Sequence, residues 1–209
     1  MSKKIIGKIE KPKVVGYKKR GPKIYLVPLL FSLSKGEKTS ADYERKLKKY
    51  WHQVESQLDD LIRKLGLIDK IFHELVDTEG DQGMQIVKEV NPEGYEMIKR
   101  LNEQGAQLQV TEDTRLVREG IDWIRCLSLK LESTQVPRLI SQFYSRVTQE
   151  RDGYISQCME NTLKKNEIGI LFIREQNKVH FPSPAQVFRI LPPVLDDIHR
   201  YLRDFAFQG

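Results

Sequence analysis

Ile168-Gly169-Ile170-Leu171-Phe172-Ile173 is the stretch that decides the fold. Six residues without a polar side chain cannot be a strand with one wet face, because alternate side chains of a strand point to opposite sides. Such a run belongs in the middle of a sheet covered on both faces, the setting of parallel α/β sheets. Asn166-Glu167 turns the chain into it and Arg174-Glu175-Gln176-Asn177-Lys178 is a polar turn beyond it.

Before this run, Val136, Leu139, Ile140, Phe143, Tyr144, Val147, Ile155, Cys158 and Met159 keep a helical period, introduced by Ser133-Thr134 and Pro137. They predict the longest helix, to about Lys165, with these positions inward. Further back, Ala106 to Val110 reads as a short strand, and Thr111-Glu112-Asp113-Thr114 caps a helix to about Leu131. Residues 95–104 and 84–90 read as helices, and Ile68 to Val76 as a strand. Leu47, Tyr50, Trp51, Val54, Leu58, Leu61, Ile62 and Leu65 line one face of a helix opened by Ser40 and stopped at Gly66. Ile24 to Leu33 is a further buried strand, in which Pro28 marks an end or a bulge because it cannot donate to a ladder. After the polar turn, Val179-His180-Phe181 and Gln186 to Leu191 read as short strands, and Pro192-Pro193 opens a last helix. Strands alternating with helices predict an α/β domain, a small and mainly parallel sheet of about five strands under long amphipathic helices.

The charge is unevenly placed. Residues 1–23 hold nine basic side chains against Glu10 alone, a net of +8, while the other 186 residues carry 26 basic and 28 acidic groups, a net of −2. The chain therefore divides into a basic N-terminal arm, 1–23, and a single domain, 24–209. Lys13 to Tyr17 could add an edge strand. Lys18, Lys19, Arg20 and Lys23 are the candidates for contact with nucleic acid or another acidic partner. No apolar run reaches the ~20 residues of a membrane span and no signal-peptide core follows Met1, so a cytoplasmic protein is expected. Cys126 and Cys158 show no ligand spacing and read as small buried side chains, not as a disulfide. Homo-oligomerisation is left open.

Phosphate-loop, dinucleotide, zinc-helix and nucleophile-elbow motifs are all absent from the chain. What remains is a polar rim just beyond the strands, where open α/β sheets place their ligand sites. His73-Glu74 follows Ile71-Phe72, Glu112-Asp113 follows Leu108 to Val110, and Arg174-Glu175 follows Ile173. Arg151 sits on the apolar side of the long helix, four residues from Val147 and from Ile155. A guanidinium there cannot shed its charge and must find acceptors, so Arg151 is expected to meet Glu74 or Asp113. Carboxylates beside a histidine can hold a divalent metal or position a water, but each of these residues also has a structural role open to it. The acids before a helix suit its dipole, and Arg174-Glu175 suits a solvated turn.

Four of these landmarks, in order, resemble the TraB/PrgY family, whose broader relatives include the ChaN and erythromycin-esterase groups. Tyr25-Leu26-Val27 resembles its opening strand and Phe72-His73-Glu74-Leu75 its strand ending in Glu. Gly105-Ala106, a short strand and Glu112-Asp113 resemble its Gly-Ala, strand, Asp-Arg segment. Glu150-Arg151-Asp152 resembles the helical Glu-Arg-Asp before its last core strand. The family's two histidine turns are replaced here by Pro28-Leu29-Leu30-Phe31 and Arg174-Glu175-Gln176-Asn177, and Thr114 stands where the Arg of Asp-Arg would be. The resemblance, over residues 24–190, implies the fold. With both histidines missing it implies a binding or regulatory module. A metal-dependent hydrolase using Glu74, Glu112, Asp113 and Arg151 is the first alternative; a nucleic-acid or ribosome-associated factor working through the arm is the second. The sequence names no cofactor.

Overall fold

The computed structural model describes residues 21–31 and 41–206, with the side chains of 205 and 206 excepted. One parallel sheet of five strands forms the middle layer: β1 (Lys23–Pro28), β2 (Lys70–His73), β3 (Gln107–Leu108), β4 (Ile168–Ile173) and β5 (Gln186–Arg189), in the order β3-β2-β4-β1-β5. The apolar run 168–173 is the central strand, in register from Lys23↔Ile168 to Pro28↔Ile173 on one side and from Lys70↔Gly169 to His73↔Phe172 on the other. All its six residues are buried.

Both faces are covered, as that run requires. Ile168, Ile170 and Phe172 of β4, with Tyr25 and Val27 of β1, join a core built from helices α1 (Ala41–Leu65), α2 (Gly80–Val90), α3 (Pro92–Glu103) and α6 (Val194–Ala206). Leu171 and Ile173, with Ile24, Leu26 and Phe72, pack on the other face against Ile155 and Met159 of α5 (Gln135–Thr162). Helix α4 (Thr114–Leu127) lies against α5. Gly169 belongs to this second face because a Cβ there would stand 3.1 Å from the Phe72 ring and 3.3 Å from Leu163.

Several expectations shift on contact with the structure. Val136, Leu139 and Phe143 of α5, expected inward, are 38–52% exposed, and the strands are shorter than their apolar runs, β1 ending at Pro28 and β2 at His73. Val179-His180-Phe181 is not a strand. It lies in the connection that carries the chain from β4 over β1 to β5, with Val179 and Phe181 packed on the second core and His180 outward. Its amides go to side chains and not to a ladder, Val179 donating to Asn177 Oδ1 at 3.4 Å and His180 to Ser156 Oγ at 2.9 Å. Lys23 opens β1 and is 6% exposed, its amide bonded to the Glu167 carbonyl at 3.0 Å, so it is a strand residue and not an arm contact. Helix α4 ends at Leu127, four residues early, and α5 ends at Thr162. The two thiols are half-buried, Cys158 donating to the Val110 carbonyl at 3.1 Å. Lys18, Lys19 and Arg20, the Lys13 to Tyr17 segment and the Ser40 cap fall outside the described residues.

Among the described residues no helix is long and apolar enough to cross a membrane.

Candidate functional site

The carboxyl ends of β2, β3 and β4 meet in one buried chain of charges. Glu74 directly follows β2. Glu112 follows β3, held in place because Thr111 and Glu112 both donate their amides to the Val76 carbonyl, at 2.9 and 3.0 Å. Arg174 follows β4. Arg151 and Asp152 come from α5, whose buried side carries Val147, Ile155 and Met159 toward the sheet. Glu74, Glu112 and Asp152 are at most 3% exposed and Arg151 is 6% exposed.

Arg151 is the hub. Its Nε donates to Glu112 Oε2 at 2.9 Å and its Nη2 to Glu112 Oε1 at 2.5 Å, a two-pronged contact that matches the planar fork of the guanidinium. The same Nη2 reaches Glu74 Oε1 at 3.1 Å. Arg174 continues the chain, one guanidinium nitrogen binding Glu74 Oε1 and the other Asp152 Oδ1. Its backbone amide donates to Glu74 Oε2 at 2.7 Å. Asp152 Oδ2 accepts the Lys178 amide at 2.8 Å and Glu112 Oε1 accepts the Leu75 amide at 3.3 Å. The order is Glu112, Arg151, Glu74, Arg174, Asp152, alternating in sign throughout. Every oxygen of the three carboxylates has a donor.

Leu75 stands at φ 72°, a left-handed conformation for a branched residue. It turns the chain sharply out of β2, lets the Val76 amide reach the His73 carbonyl at 3.2 Å, and points its own amide at Glu112.

Burial and charge act against each other here. Burial pushes the Glu112 carboxyl up, and the guanidinium bound at both its oxygens pulls it back. Burial disfavours the Arg151 charge too, but Glu112 and Glu74 outweigh it, and Arg151 is held above its ordinary value. His73 has no exposed surface, and burial lowers its pKa to about 4. Its Nδ1 donates to the Glu74 carbonyl at 2.6 Å, which leaves Nε2 facing the Asn91 amide at 3.4 Å. It is a neutral, internal imidazole that fixes the end of β2.

With His73, two more expected members of the rim stay out of the network. Asp113 caps α4, accepting the Leu116 amide at 2.9 Å. Its extended backbone points the side chain along the new helix, whereas Glu112, one residue earlier, faces inward. Glu175 pairs with His199 of α6 at 2.6 Å, on the open side of the rim. One full member was missed: Asp152, although Asp152, Ile155 and Met159 fall at helical spacing on one face and the residue was therefore readable as inward.

Beside this network a cleft of about 150 Å³ opens at the carboxyl ends of β1, β4 and β5. Leu26, Pro28, Ile173 and Leu191 give it apolar walls, and Arg174, Glu175, Asn177 and Arg189 a polar mouth. The Arg189 side chain is exposed and has no ion pair or hydrogen bond among the described residues. Among the described residues no group of three or more His, Cys, Asp or Glu side chains is placed to hold a metal ion. No family model matches the chain, and neither a curated protein nor a solved structure matches it.

Proposed function

We propose that this chain is a TraB-like domain that works by binding, with its rim charges given over to the fold and its ligand place in the adjoining cleft. The observation that carries this reading is the saturation of the rim. All oxygens of Glu74, Glu112 and Asp152 already accept hydrogen bonds, most of them from Arg151 and Arg174. A general base or a metal ligand needs a carboxylate lone pair free to meet a proton or an ion. The alternative of a metal-dependent hydrolase therefore requires the network to break first, and burial makes a broken network costly.

The cleft supports a small ligand with an apolar body and an acidic group. Apolar walls with a few convergent polar groups are the usual form of a small-molecule site, and Arg189 supplies an uncommitted planar donor at its mouth. The absence of the family's histidines fits a member that has kept the fold and lost the chemistry.

Thermal unfolding in the presence of short-chain carboxylates and phosphate tests the reading. A ligand at one hundred times its Kd adds about 2.7 kcal/mol. That raises Tm by roughly 5–10 °C in a chain of this length. We expect such a rise with carboxylates, and its loss in Arg189→Gln. No rise with any acidic compound, or the same rise in Arg189→Gln, would refute the cleft. Hydrolysis abolished by Glu74→Gln in a folded variant would refute the binding reading as a whole.

A further inference from the structure

Helices α4 and α5 leave the body of the domain before they end. The last buried residue on α4 is Gly120 and the first on α5 is Val147, and nothing between them is buried. The segment is nevertheless patterned like a core. Val117, Ile121 and Ile124 share one face of α4, which is buried at Val117 and then runs out of the body at 37% and 50% exposed. Val147, Phe143, Leu139 and Val136 do the same on α5, buried at Val147 and 38–52% exposed beyond it. Seven of the twelve exposed large apolar side chains among the described residues fall between Ile121 and Phe143. Trp123 and Phe143, stacked at 4.9 Å, tie the two helices together, so the projecting part is a formed antiparallel hairpin.

We infer that this hairpin docks on a second copy of the same chain. An antiparallel pair of helices is half of a four-helix bundle, and a two-fold axis supplies the other half from the same sequence. The seven apolar residues expose on the order of 600 Å² per copy, close to the ~800 Å² that each partner contributes to a standard interface once polar neighbours are added. The charges suit a copy better than another partner. Arg115–Glu119, Arg125–Asp122 and Arg146–Glu150 are paired within their own helices at 3.3–3.8 Å. Over residues 114–150 six basic side chains (Arg115, Arg118, Arg125, Lys130, Arg138, Arg146) stand against four acidic ones (Glu119, Asp122, Glu132, Glu150), a net of +2. Both signs are interspersed, and the field is too weak to hold two copies apart.

Sedimentation of the full chain over a range of concentrations is the test, with amide hydrogen exchange read on the same samples. The mass should move from 24.5 kDa to twice that with a micromolar or tighter Kd, and exchange at 121–146 should slow as the dimer forms. Ile124→Glu and Leu139→Glu, at half-exposed positions, should keep the circular dichroism of the parent and weaken the dimer at least a hundredfold. A chain that stays monomeric at about 100 μM overturns the inference, since interfaces of this size bind more tightly. So does a dimer that survives either folded variant, or one whose formation leaves exchange at 121–146 unchanged. Protection of the hairpin that is independent of concentration and lost on deleting residues 1–20 would assign the face to the arm and overturn it equally.

Discussion

Replacing Arg151 by Met removes the hub of the rim and leaves its two acids in different positions. Glu112 loses both prongs and keeps only the Leu75 amide at 3.3 Å, with no exposed surface on its side chain through which to recover water. Glu74 loses one contact of 3.1 Å and retains the amide and guanidinium of Arg174. Removing one partner of a buried pair costs about 3–5 kcal/mol, because the other charge is left uncompensated. In a chain of this length that lowers Tm by roughly 6–20 °C. The double variant Arg151→Met with Glu112→Gln should be less destabilised than the sum of its parts by about 2 kcal/mol, within the range found for contacting pairs. The same cycle with Glu74→Gln should give a smaller coupling, and one with Asp113→Asn none, since Asp113 is committed to the α4 cap. Urea melts of each set, compared at equal m, measure the three couplings. Additive effects of Arg151 and Glu112, or a coupling to Glu74 larger than to Glu112, would refute the assignment of the hub.

Two further outcomes follow from the charges. His73 is neutral in the fold with a pKa near 4 against 6.5 unfolded, so the unfolded chain takes up the proton first as pH falls. Its contribution is intact above pH 6.5 and is lost between 6.5 and 4, about 3 kcal/mol in all. His73→Asn, which can still donate to the Glu74 carbonyl, should flatten the fall in stability over that window in melts taken at successive pH values; an unchanged slope rejects His73 as its source. Any affinity of the chain for DNA or RNA should reside in residues 1–20 and fall steeply with salt. Filter binding at low and high ionic strength, before and after deletion of 1–20, checks this, and salt-insensitive binding would refute it.

What the amino-acid sequence settled about this protein is what its local patterns can encode. The two-faced run at 168–173 requires cover on both sides, and the sheet places it in the centre. Pro28 closes β1 on its β5 side, where it has no amide hydrogen to give, while the Leu29 amide still donates to the Ile173 carbonyl of β4 at 2.9 Å. Arg151 had to point inward between Val147 and Ile155, and an inward guanidinium had to find acids. Which acids it found, the tertiary structure decided. Glu112 and Glu74 stand 39 and 77 residues away from Arg151, and Arg174 joins partners 100 and 22 residues away. Side-chain direction at 112 and 113 reverses within one residue, because the first ends a strand connection and the second caps a helix. The hairpin shows the same division. Its period from Val136 to Val147 reads as core throughout, and periodicity reports only that an apolar face exists. Whether the chain itself covers that face depends on how far the body of the domain extends, and burial stops at Gly120 on α4 and at Val147 on α5.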